Sequence, residues 1–318
     1  MISNILDNVG MTPLTSIRLE ELSNIELYLK LEYYNPTGSV KDRAANYIIK
    51  KLLDLGEINK DTIMIESSSG NFGIALSAYC KKYGLSFYCV IDPNITPVNE
   101  TIIRKLSTCT FKVTEKDSYG GYLLERIKKV KQLLNNNSNA YWVNQYANLH
   151  NAEAYYNTLG NELCNEIDEI DYVFVGVSSG GTITGVSRRI KEKYPNAKVI
   201  AVDSVGSVIF GGQAAKRYIP GIGSSMVPDI LKHAKIDEVV LVDEISSISM
   251  CHELLEKHSI FAGGSSGSVF AAIKKYFKNK TLNKKVNVVA IFADRGDRYS
   301  NTIYNKEWYE KLLCFSKA

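Results

Sequence analysis

The stretch Asn35-Pro36-Thr37-Gly38-Ser39-Val40-Lys41-Asp42-Arg43 places one lysine between a turn and a helix. Pro36 and Gly38 are typical of a turn, and serine, here Ser39, commonly caps a helix. The helix is predicted because apolar residues recur at helical spacing before Gly56: Ala44, Ala45, Ile48, Ile49, Leu52 and Leu53. Lys41 would then lie in the first turn, where the helix dipole disfavours an ammonium ion by roughly 0.3–1 kcal/mol and lowers the lysine pKa.

Lys41 is therefore the candidate catalytic residue, because a neutral amine can act as a base or join a carbonyl group as an imine. The alternative is a solvated lysine in a basic turn, since most lysines lie at the protein surface. The residues around Lys41 do not decide between the two, and the rest of the chain has to be considered.

The composition is that of an ordinary globular protein. The chain has 318 residues, 45% of them hydrophobic and 23% charged, which is enough for a large core in two domains. The net charge of +4 is small, so no nucleic-acid partner is expected. The cysteines and histidines lack metal-ligand spacing, and no metal site is expected. Without a recognisable signal sequence or membrane span, the protein is expected to be cytoplasmic, with reduced thiols and no membrane partner.

Short β-branched runs alternate with amphipathic stretches along the chain, which predicts an α/β fold with parallel sheets flanked by helices. Strands are predicted at 62–66, 86–91, 110–114, 141–144, 172–177, 198–202, 238–242 and 286–292. Further helices are predicted at 72–83, 97–106, 121–134, 152–167, 182–194, 245–257 and 266–277. A crossing between two lobes is expected near residues 140–146.

Three loops rich in glycine and serine are predicted between the end of a strand and the start of a helix, at 67–71, 178–182 and 263–268. In an open parallel sheet such loops meet at the carboxyl ends of the strands, so we expect them to form one site. The first loop offers hydroxyl and N–H groups for a carboxylate, and the Asn71 amide can reach a ring hydroxyl or an oxyanion. Simple helix capping is the alternative for this loop.

The loop at 178–182 contains two adjacent glycines that let the backbone approach a ligand, and the helix after it directs N–H groups at a phosphate. No Walker lysine or GxGxxG pattern accompanies it, which favours a small phosphorylated cofactor over a nucleotide. A glycine-rich turn without a ligand is the alternative. In the loop at 263–268, a hydroxyl can share a hydrogen bond with a heterocyclic nitrogen, which is a weak signal by itself.

Together, an imine-forming lysine, an anion cup and a hydroxyl for a ring nitrogen describe a site for pyridoxal 5'-phosphate. The chain resembles the cysteine synthase and cystathionine β-synthase family over nearly its whole length. Six motifs in order carry the resemblance: 35–43, the loop ending at Asn71, Asn144-Gln145-Tyr146, 178–182, Pro220-Gly221-Ile222-Gly223 and 263–268. It implies a fold-type-II pyridoxal phosphate enzyme, usually a homodimer. The smaller, partly mobile domain would span 35–145, and the larger, cofactor-binding domain would combine 1–34 with 146–318.

The resemblance also implies the roles of individual residues. Lys41 would hold the cofactor as a Schiff base. The other cofactor-binding residues would be Asn71 at the 3′-oxygen, Ser178, Ser179, Gly180, Gly181 and Thr182 at the phosphate, and Ser265 at the ring nitrogen. The substrate carboxylate would be bound by Ser68, Ser69, Gly70 and Gln145. The implied reaction is β-replacement on a small amino-acid substrate, by elimination to an aminoacrylate and addition of a nucleophile.

The chain departs from the sulfhydrylases of this family at two motifs. Their Gly-Thr is replaced by Ser178-Ser179, and their Asn-Gln-Phe by Asn144-Gln145-Tyr146. With Tyr119-Gly120-Gly121-Tyr122-Leu123, Arg126 and residues 293–299, these changes make the chain most similar to the N-(2-amino-2-carboxyethyl)-L-glutamate synthases of 2,3-diaminopropionate and siderophore biosynthesis. That resemblance implies O-phospho-L-serine as donor and L-glutamate as acceptor.

The added substrate contacts would be Arg126, Tyr146 and Ser178. A guanidinium such as that of Arg126 can pair with a phosphate or a second carboxylate, although a solvated arginine is the alternative. The rival enzyme hypothesis is a sulfhydrylase that makes L-cysteine from O-acetylserine or O-phosphoserine, whose sulfide acceptor needs no second carboxylate site. A non-catalytic relative is disfavoured because Lys41, Asn71 and Ser265 are all present.

Overall fold

A computed structural model describes residues 4–116 and 121–316 of the chain. These residues form two sheets, and the larger one has six strands. These strands are β1 (Leu14–Ile17), β2 (Ile25–Leu31), β7 (Tyr172–Gly176), β8 (Lys198–Ser204), β9 (Glu238–Val242) and β10 (Val286–Phe292). Their order across the sheet is β1-β2-β10-β7-β8-β9. Only the pair of β1 and β2 is antiparallel, so five strands end at the same edge.

The smaller sheet is parallel throughout. It consists of β3 (Ile63–Ser67), β4 (Ser86–Ile91), β5 (Cys109–Lys112) and β6 (Ala140–Trp142), in the order β5-β4-β3-β6. The chain therefore has the predicted α/β fold with two parallel-sheet units. All four strands fall inside the predicted small domain of residues 35–145, and the boundaries of that domain stay a prediction.

Helices cover the sheets on their faces. They are α1 (Lys41–Asp54), α2 (Asn71–Lys82), α3 (Pro97–Leu106), α4 (Leu123–Asn135), α5 (Leu149–Tyr155), α6 (Asn161–Glu166), α7 (Gly181–Lys193), α8 (Glu244–His258), α9 (Gly264–Phe277) and α10 (Lys306–Ser316). Within the described ranges, none of them combines the length and the apolarity that a bilayer span requires.

Most predicted elements are confirmed to within a few residues, but β1, β2 and α10 are absent from the prediction. The sequence of β2, Ile-Glu-Leu-Tyr-Leu-Lys-Leu, places charged residues between apolar ones. Lys30 of this strand is nevertheless fully buried, and its Nζ lies 2.8 Å from Glu166 Oε2. The alternation of apolar and polar residues is itself a strand pattern, so β2 was predictable from the sequence, whereas the burial of Lys30 was not.

The helix predicted at 152–167 is wrong as one continuous element. The chain instead forms α5, a π-helical turn at Tyr156–Gly160, and α6. The turn lies where α7 comes very close, because a Cβ on Gly185 would stand 2.2 Å from the Ala152 carbonyl oxygen and 2.6 Å from the Tyr156 nitrogen. The contact between the two backbones depends on Gly185 of α7. This glycine lies outside 152–167, so the local sequence gives no sign of the contact.

A buried cluster of charges fixes the start of α1. Arg43 is 1% exposed, and its guanidinium donates to Glu32 of the β2 end and to Glu162 of α6, with shortest distances of 2.6 Å to each carboxylate. Burial alone would raise the pKa of Glu162, but the hydrogen bonds and charge of Arg43 lower it to about 2. Lys41 is two residues away, so this cluster sets the position of the predicted reactive amine.

Replacing Arg43 by methionine should destabilise the protein by about 3–5 kcal/mol, because two buried carboxylates would lose their partner. The matched control is Arg104→Met, which removes an exposed i,i+4 pair with Glu100 and should cost at most about 1 kcal/mol. Denaturant unfolding of the two variants measures the difference. Equal losses would mean that the buried cluster does not fix α1.

Candidate active site

The predicted site residues lie where parallel strands end. The loop at 178–182 follows β7, the loop at 67–71 follows β3, and Asp294 follows β10 closely. The turn before α1 is attached to this edge, because the Val40 N–H donates to the Ala293 carbonyl at 2.8 Å and Ser39 forms a bridge with Asp294. The chain therefore brings the start of α1 to the carboxyl ends of both sheets.

One cavity joins three of the predicted cofactor-binding segments. It is lined by Lys41, by four residues of the 178–182 loop, and by Ser265 in the first turn of α9. The remaining lining residues are Val40, Val175, Gly176, Ile183, Gly221, Val269, Ile291 and Ala293. The lining combines apolar side chains with the polar groups of Lys41, the 178–182 loop and Ser265, as in many small-molecule sites.

Lys41 is the first residue of α1, as predicted. Burial lowers the pKa of its amine to about 8, while the charge of Asp294 acts in the opposite direction. Among the described residues, its Nζ has no hydrogen-bonding partner. An amine with this pKa is partly neutral under mildly alkaline conditions, so it can act as a nucleophile or a base.

The 178–182 loop forms a cup at the start of α7. Gly180 adopts φ +85°, a left-handed conformation that favours glycine, and it directs the chain into the helix. The backbone N–H groups of residues 179–182 have no acceptor within the described ranges. Several free N–H groups at a helix N-terminus suit an anion such as a phosphate. Ser178 closes the rim, since its hydroxyl donates to the Gly223 carbonyl at 3.1 Å.

Asn151 connects this cup to the predicted substrate-binding Gln145. A Cβ on Gly181 would lie 2.3 Å from the Asn151 Oδ1, so only glycine fits there. The Asn151 side chain donates to the Gln145 carbonyl at 2.7 Å, and Gln145 in turn donates from its side chain to the Ser67 carbonyl at 3.3 Å. Gln145 is thus held between the cup and the 67–71 loop, although it does not line the cavity described above.

Asn71 lies at the start of α2, and both ends of its amide are engaged. Its Nδ2 donates to Asp294 Oδ2 at 2.8 Å, and its Oδ1 accepts from Arg298. Asp294 is 1% exposed and also accepts from the Tyr299 hydroxyl. Because Asp294 acts electrostatically on Lys41, these contacts bring Asn71 to the same centre as the amine.

The loop at 67–71, predicted to bind the substrate carboxylate, is held by its own hydroxyl groups. Ser68 Oγ accepts from the Gly73 N–H at 3.0 Å and from the Gly70 N–H at 3.4 Å. Ser69 Oγ donates to Asp92 Oδ2 at 3.0 Å and accepts from Arg126 at 3.3 Å. The serine side chains therefore support the loop, and Gly70 precedes the helix as its N-cap.

Arg126 lies beside this loop and is not the solvated arginine of the alternative reading. Its side chain is 13% exposed, and its Nη1 is 3.2 Å from Asp92 Oδ2. Tyr146, the third predicted addition to the substrate site, is half-buried within electrostatic reach of Arg126; burial raises the pKa of its hydroxyl. The motif residues Tyr119 and Gly120 lie outside the described residues, and Leu123 begins α4.

Glu66 is the penultimate residue of β3, next to the 67–71 loop, and is fully buried. Its carboxylate accepts the Ser67 N–H at 2.7 Å and the Gln145 N–H at 3.2 Å. Burial raises its pKa to about 7, although these hydrogen bonds oppose the shift. Glu66 therefore joins the two segments predicted to bind the substrate carboxylate.

Two local predictions are wrong. Ser39 is not the helix cap, because Val40 holds that position, and Ser39 only accepts the Lys41 N–H at 3.3 Å. The loop at 263–268 does not follow a strand: it follows α8, and Ala262 forms only an isolated bridge with Arg295. Non-local pairing with the segment after β10 takes the place of the expected strand and still directs Ser265 to the site.

No site role was predicted for Asp92 or Asp294, and Glu66 was not singled out. Asp92 directly follows β4, and Asp294 lies two residues after β10. The rule that polar residues after parallel strands form the site would have found these two. Glu66 lies inside its strand, and no sequence signal distinguishes it.

Fold and site together define an enzyme that presents a partly buried lysine beside an anion cup at the ends of parallel strands. The sequence matches the family described as pyridoxal-phosphate dependent enzyme over residues 5–294. The fold is similar to that of an O-acetylserine dependent cystathionine beta-synthase from Helicobacter pylori, with 32% identity and a TM-score of 0.88, covering 96% of this chain and 99% of that one.

Two further solved structures are similar. A hydrogen sulfide-producing enzyme from Fusobacterium nucleatum has 28% identity and a TM-score of 0.86, covering 94% of this chain and 100% of that one. An O-ureido-L-serine synthase at 24% identity, with a TM-score of 0.87 and 96% coverage of both chains, shows the likeness of the fold. The chain belongs to the pyridoxal-phosphate dependent enzyme family, as the sequence motifs indicated, and catalyses β-replacement or β-elimination.

The residues of the cavity fit pyridoxal 5'-phosphate. The unpaired N–H groups of the 178–182 cup suit its phosphate, and the amine of Lys41 and the hydroxyl of Ser265 line the same cavity. The glycine at 181 leaves no room for a side chain between the cup and Asn151. The assignment of each contact to a particular atom of the cofactor stays a prediction.

The raised pKa of Glu66 predicts a pH-dependent stability. Between its ordinary pKa of 4.5 and its folded value of about 7, the folded protein binds more protons than the unfolded chain, so this residue's contribution to stability falls as the pH rises. Because one pKa unit corresponds to about 1.4 kcal/mol, Glu66→Gln should gain about 3 kcal/mol relative to the wild type between pH 4.5 and pH 8.

Denaturant unfolding of both proteins across this pH range measures that difference. Comparing the two proteins at each pH removes the contribution of every other titrating group. A difference that stays constant from pH 4.5 to pH 8 would contradict the raised pKa.

Proposed function

We propose that the enzyme replaces the phosphate of O-phospho-L-serine by the amine of L-glutamate, forming N-(2-amino-2-carboxyethyl)-L-glutamate and phosphate. The observation that carries the proposal is the position of Arg126, whose guanidinium lies against Ser69 in the predicted substrate loop. L-glutamate bears two carboxylates that a sulfide acceptor lacks, and O-phospho-L-serine bears a phosphate that O-acetyl-L-serine lacks. A largely buried arginine beside the loop can pair with such a group.

The chain's own residues supply binding and proton transfer. The 67–71 loop and Gln145 would bind the α-carboxylate of the donor, and the buried Glu66 holds these two segments in register. Lys41 Nζ would remove the α-proton and later return it, a task that suits an amine whose pKa burial lowers to about 8. When bound, pyridoxal 5'-phosphate supplies the electron sink that permits loss of the leaving group from the β-carbon.

Ser265 would influence the strength of that electron sink through its contact with the ring nitrogen. Its hydroxyl lines the cavity in the first turn of α9, where it would meet the ring nitrogen. A hydroxyl shares a hydrogen bond with such a nitrogen without the charge that a carboxylate would bring, so the nitrogen stays largely neutral. This arrangement favours elimination of a good leaving group such as phosphate.

The second candidate is a sulfur-transfer reaction with O-acetyl-L-serine or O-phospho-L-serine, which includes a sulfhydrylase that makes L-cysteine. Two observations favour it. The relative with 32% identity is named as O-acetylserine dependent, and another similar enzyme as hydrogen sulfide-producing. In addition, Arg126 is already paired with Asp92, which offsets part of the positive charge that an acidic substrate would meet.

A product assay by mass spectrometry separates the two candidates. O-phospho-L-serine and O-acetyl-L-serine are each paired with L-glutamate, sulfide or L-cysteine, and product is followed over time. We expect the fastest reaction from O-phospho-L-serine with L-glutamate. Product from sulfide alone would reject the glutamate proposal and support the sulfhydrylase.

Replacing Arg126 by methionine should raise the KM for the acidic substrates by about 10- to 100-fold, because a charge-assisted hydrogen bond contributes about 1.5–3 kcal/mol. Lys128→Met is the matched control, because this substitution also removes one positive charge from α4, at a side chain that is 75% exposed. Steady-state kinetics with O-phospho-L-serine and with O-acetyl-L-serine measure the effect.

The double variant Arg126→Met with Asp92→Asn tests whether an unpaired Asp92 causes the loss. If the double variant recovers the wild-type KM, Arg126 serves only to neutralise Asp92. An equal loss with both donors and with sulfide as acceptor would likewise assign Arg126 a structural role and remove the main support for the glutamate proposal.

The family resemblance also supports a homodimer that acts on small amino-acid substrates, in the cytoplasm, within a pathway to 2,3-diaminopropionate and a siderophore. It further supports a small domain of residues 35–145 that closes over the substrate. The smaller sheet packs against α2, α3 and α4 and the larger sheet against α7 and α9, whereas α1 packs against both α2 and α5.

A further inference from the structure

The segment that follows β10, residues 293–299, connects the three parts of the site. The Ala293 carbonyl accepts the Val40 N–H at 2.8 Å, directly before Lys41. The Asp294 carbonyl accepts the Gly263 N–H at 2.9 Å, two residues before Ser265. Its side chains reach Asn71 of α2. We refer to residues 293–299 as the connecting segment.

Two side chains of the connecting segment hold the Asn71 amide from both sides. Asp294 Oδ2 accepts from Nδ2 at 2.8 Å, and the Arg298 guanidinium donates to Oδ1. A reversed amide would turn its NH₂ toward the guanidinium and its oxygen toward the carboxylate, and neither pair could form a hydrogen bond. Asn71 is therefore fixed in a single orientation.

Arg298 extends this contact to the other side of the site. It also donates to the carbonyl of Thr37, in the turn that precedes Lys41, and it packs against Gly38, where a Cβ would lie 3.2 Å from its Nη2. Gly38 has φ +84°, so the turn itself requires a glycine. One guanidinium thus joins the start of α2 to the turn before α1.

Asp294 is more than a packing residue. It is 1% exposed, its Oδ2 accepts from both Asn71 and Tyr299, and its Oδ1 has no partner among the described residues. The charged or titratable groups around it are Lys41, Arg298, Tyr299, Cys251 and Tyr304. A buried carboxylate with one free oxygen is unfavourable for folding, so its presence between Lys41 and Asn71 calls for a role at the site.

We propose that Asp294 and Arg298 are positioning residues that fix the orientation of the Asn71 amide and hold it beside the turn carrying Lys41. The inference rests on the roles proposed for Lys41 and Asn71 as cofactor contacts. Neither residue need touch the cofactor. Their effect on cofactor binding would pass through Asn71, whereas a purely structural pair would act regardless of the residue at 71.

The test measures the affinity of the apoprotein for pyridoxal 5'-phosphate by absorbance titration. Asp294→Ala and Arg298→Met should each weaken binding by about tenfold, the effect of one lost hydrogen bond, and should shift the visible band. Asp294→Asn keeps an oxygen that accepts from Asn71 and should stay within about threefold of the wild type. Asp297→Asn, an exposed neighbour in the connecting segment, is the control and should not change the affinity.

A double-mutant cycle with Asn71→Ala decides between positioning and structure. If the two residues act through Asn71, Asp294→Ala and Arg298→Met should have no further effect on affinity in the Asn71→Ala background. Full tenfold losses in that background would overturn the inference. Thermal unfolding of each apoprotein checks that it is folded. If Asp294→Ala does not fold, the cycle is carried out with Arg298→Met, and Asp294→Asn remains the variant that keeps the contact with Asn71.

Borohydride reduction of the wild-type holoenzyme, followed by peptide mapping, separates this inference from the function on which it rests. A label on a residue other than Lys41 would reject the proposed site. A label on Lys41, together with unchanged cofactor affinity in Asp294→Ala and Arg298→Met, would reject the positioning role alone.

Discussion

The buried charge cluster of Arg43, Glu32 and Glu162 is the contact that determines where Lys41, the proposed reactive amine, lies. It joins the first turn of α1 to the end of β2 and to α6, three segments far apart in the sequence. Removing these charges from water is costly, and only close pairing in the folded chain offsets that cost. The fold therefore holds Lys41 at one place, next to the edge where β7 and β10 end.

Buried charge is a recurring feature of the site beyond this cluster. Glu66 and Asp294 are buried and Lys41 is partly buried, and burial lowers the pKa of the lysine and raises the pKa of the two carboxyl groups. In each case burial favours the neutral form. The amine is partly neutral under mildly alkaline conditions, and the two carboxyl groups bind backbone and amide groups near it. Burial thus lowers the pKa of Lys41 and also accompanies the hydrogen bonds of Glu66 and Asp294 that order the residues around it.

The carboxyl ends of the two sheets supply the remaining geometry. Parallel strands bring the 67–71 loop, Asp92, the 178–182 cup and Asp294 to a common region, although these residues span more than 200 positions. Helix α9 contributes Ser265 by a different route, through the pairing of Ala262 and Gly263 with the segment after β10. Glycines at 181 and 185 permit the close approach of α5 to α7 that places Asn151 beneath the cup.

The sequence by itself determined the α/β class, most strand and helix positions, the family and its cofactor. Apolar periodicity and glycine-serine loops are local features, so they can be recognised without knowing which segments meet in the fold. It also identified Lys41, Ser265 and the 178–182 loop, which the fold brings to one cavity. Only the tertiary structure revealed the roles of Lys30, Glu66, Asp294 and Arg298. A charged residue in a sequence carries no sign of burial, and its partner is chosen by packing between distant segments. For that reason the burial of Lys30 and the contacts on both sides of the Asn71 amide became visible only in the folded chain.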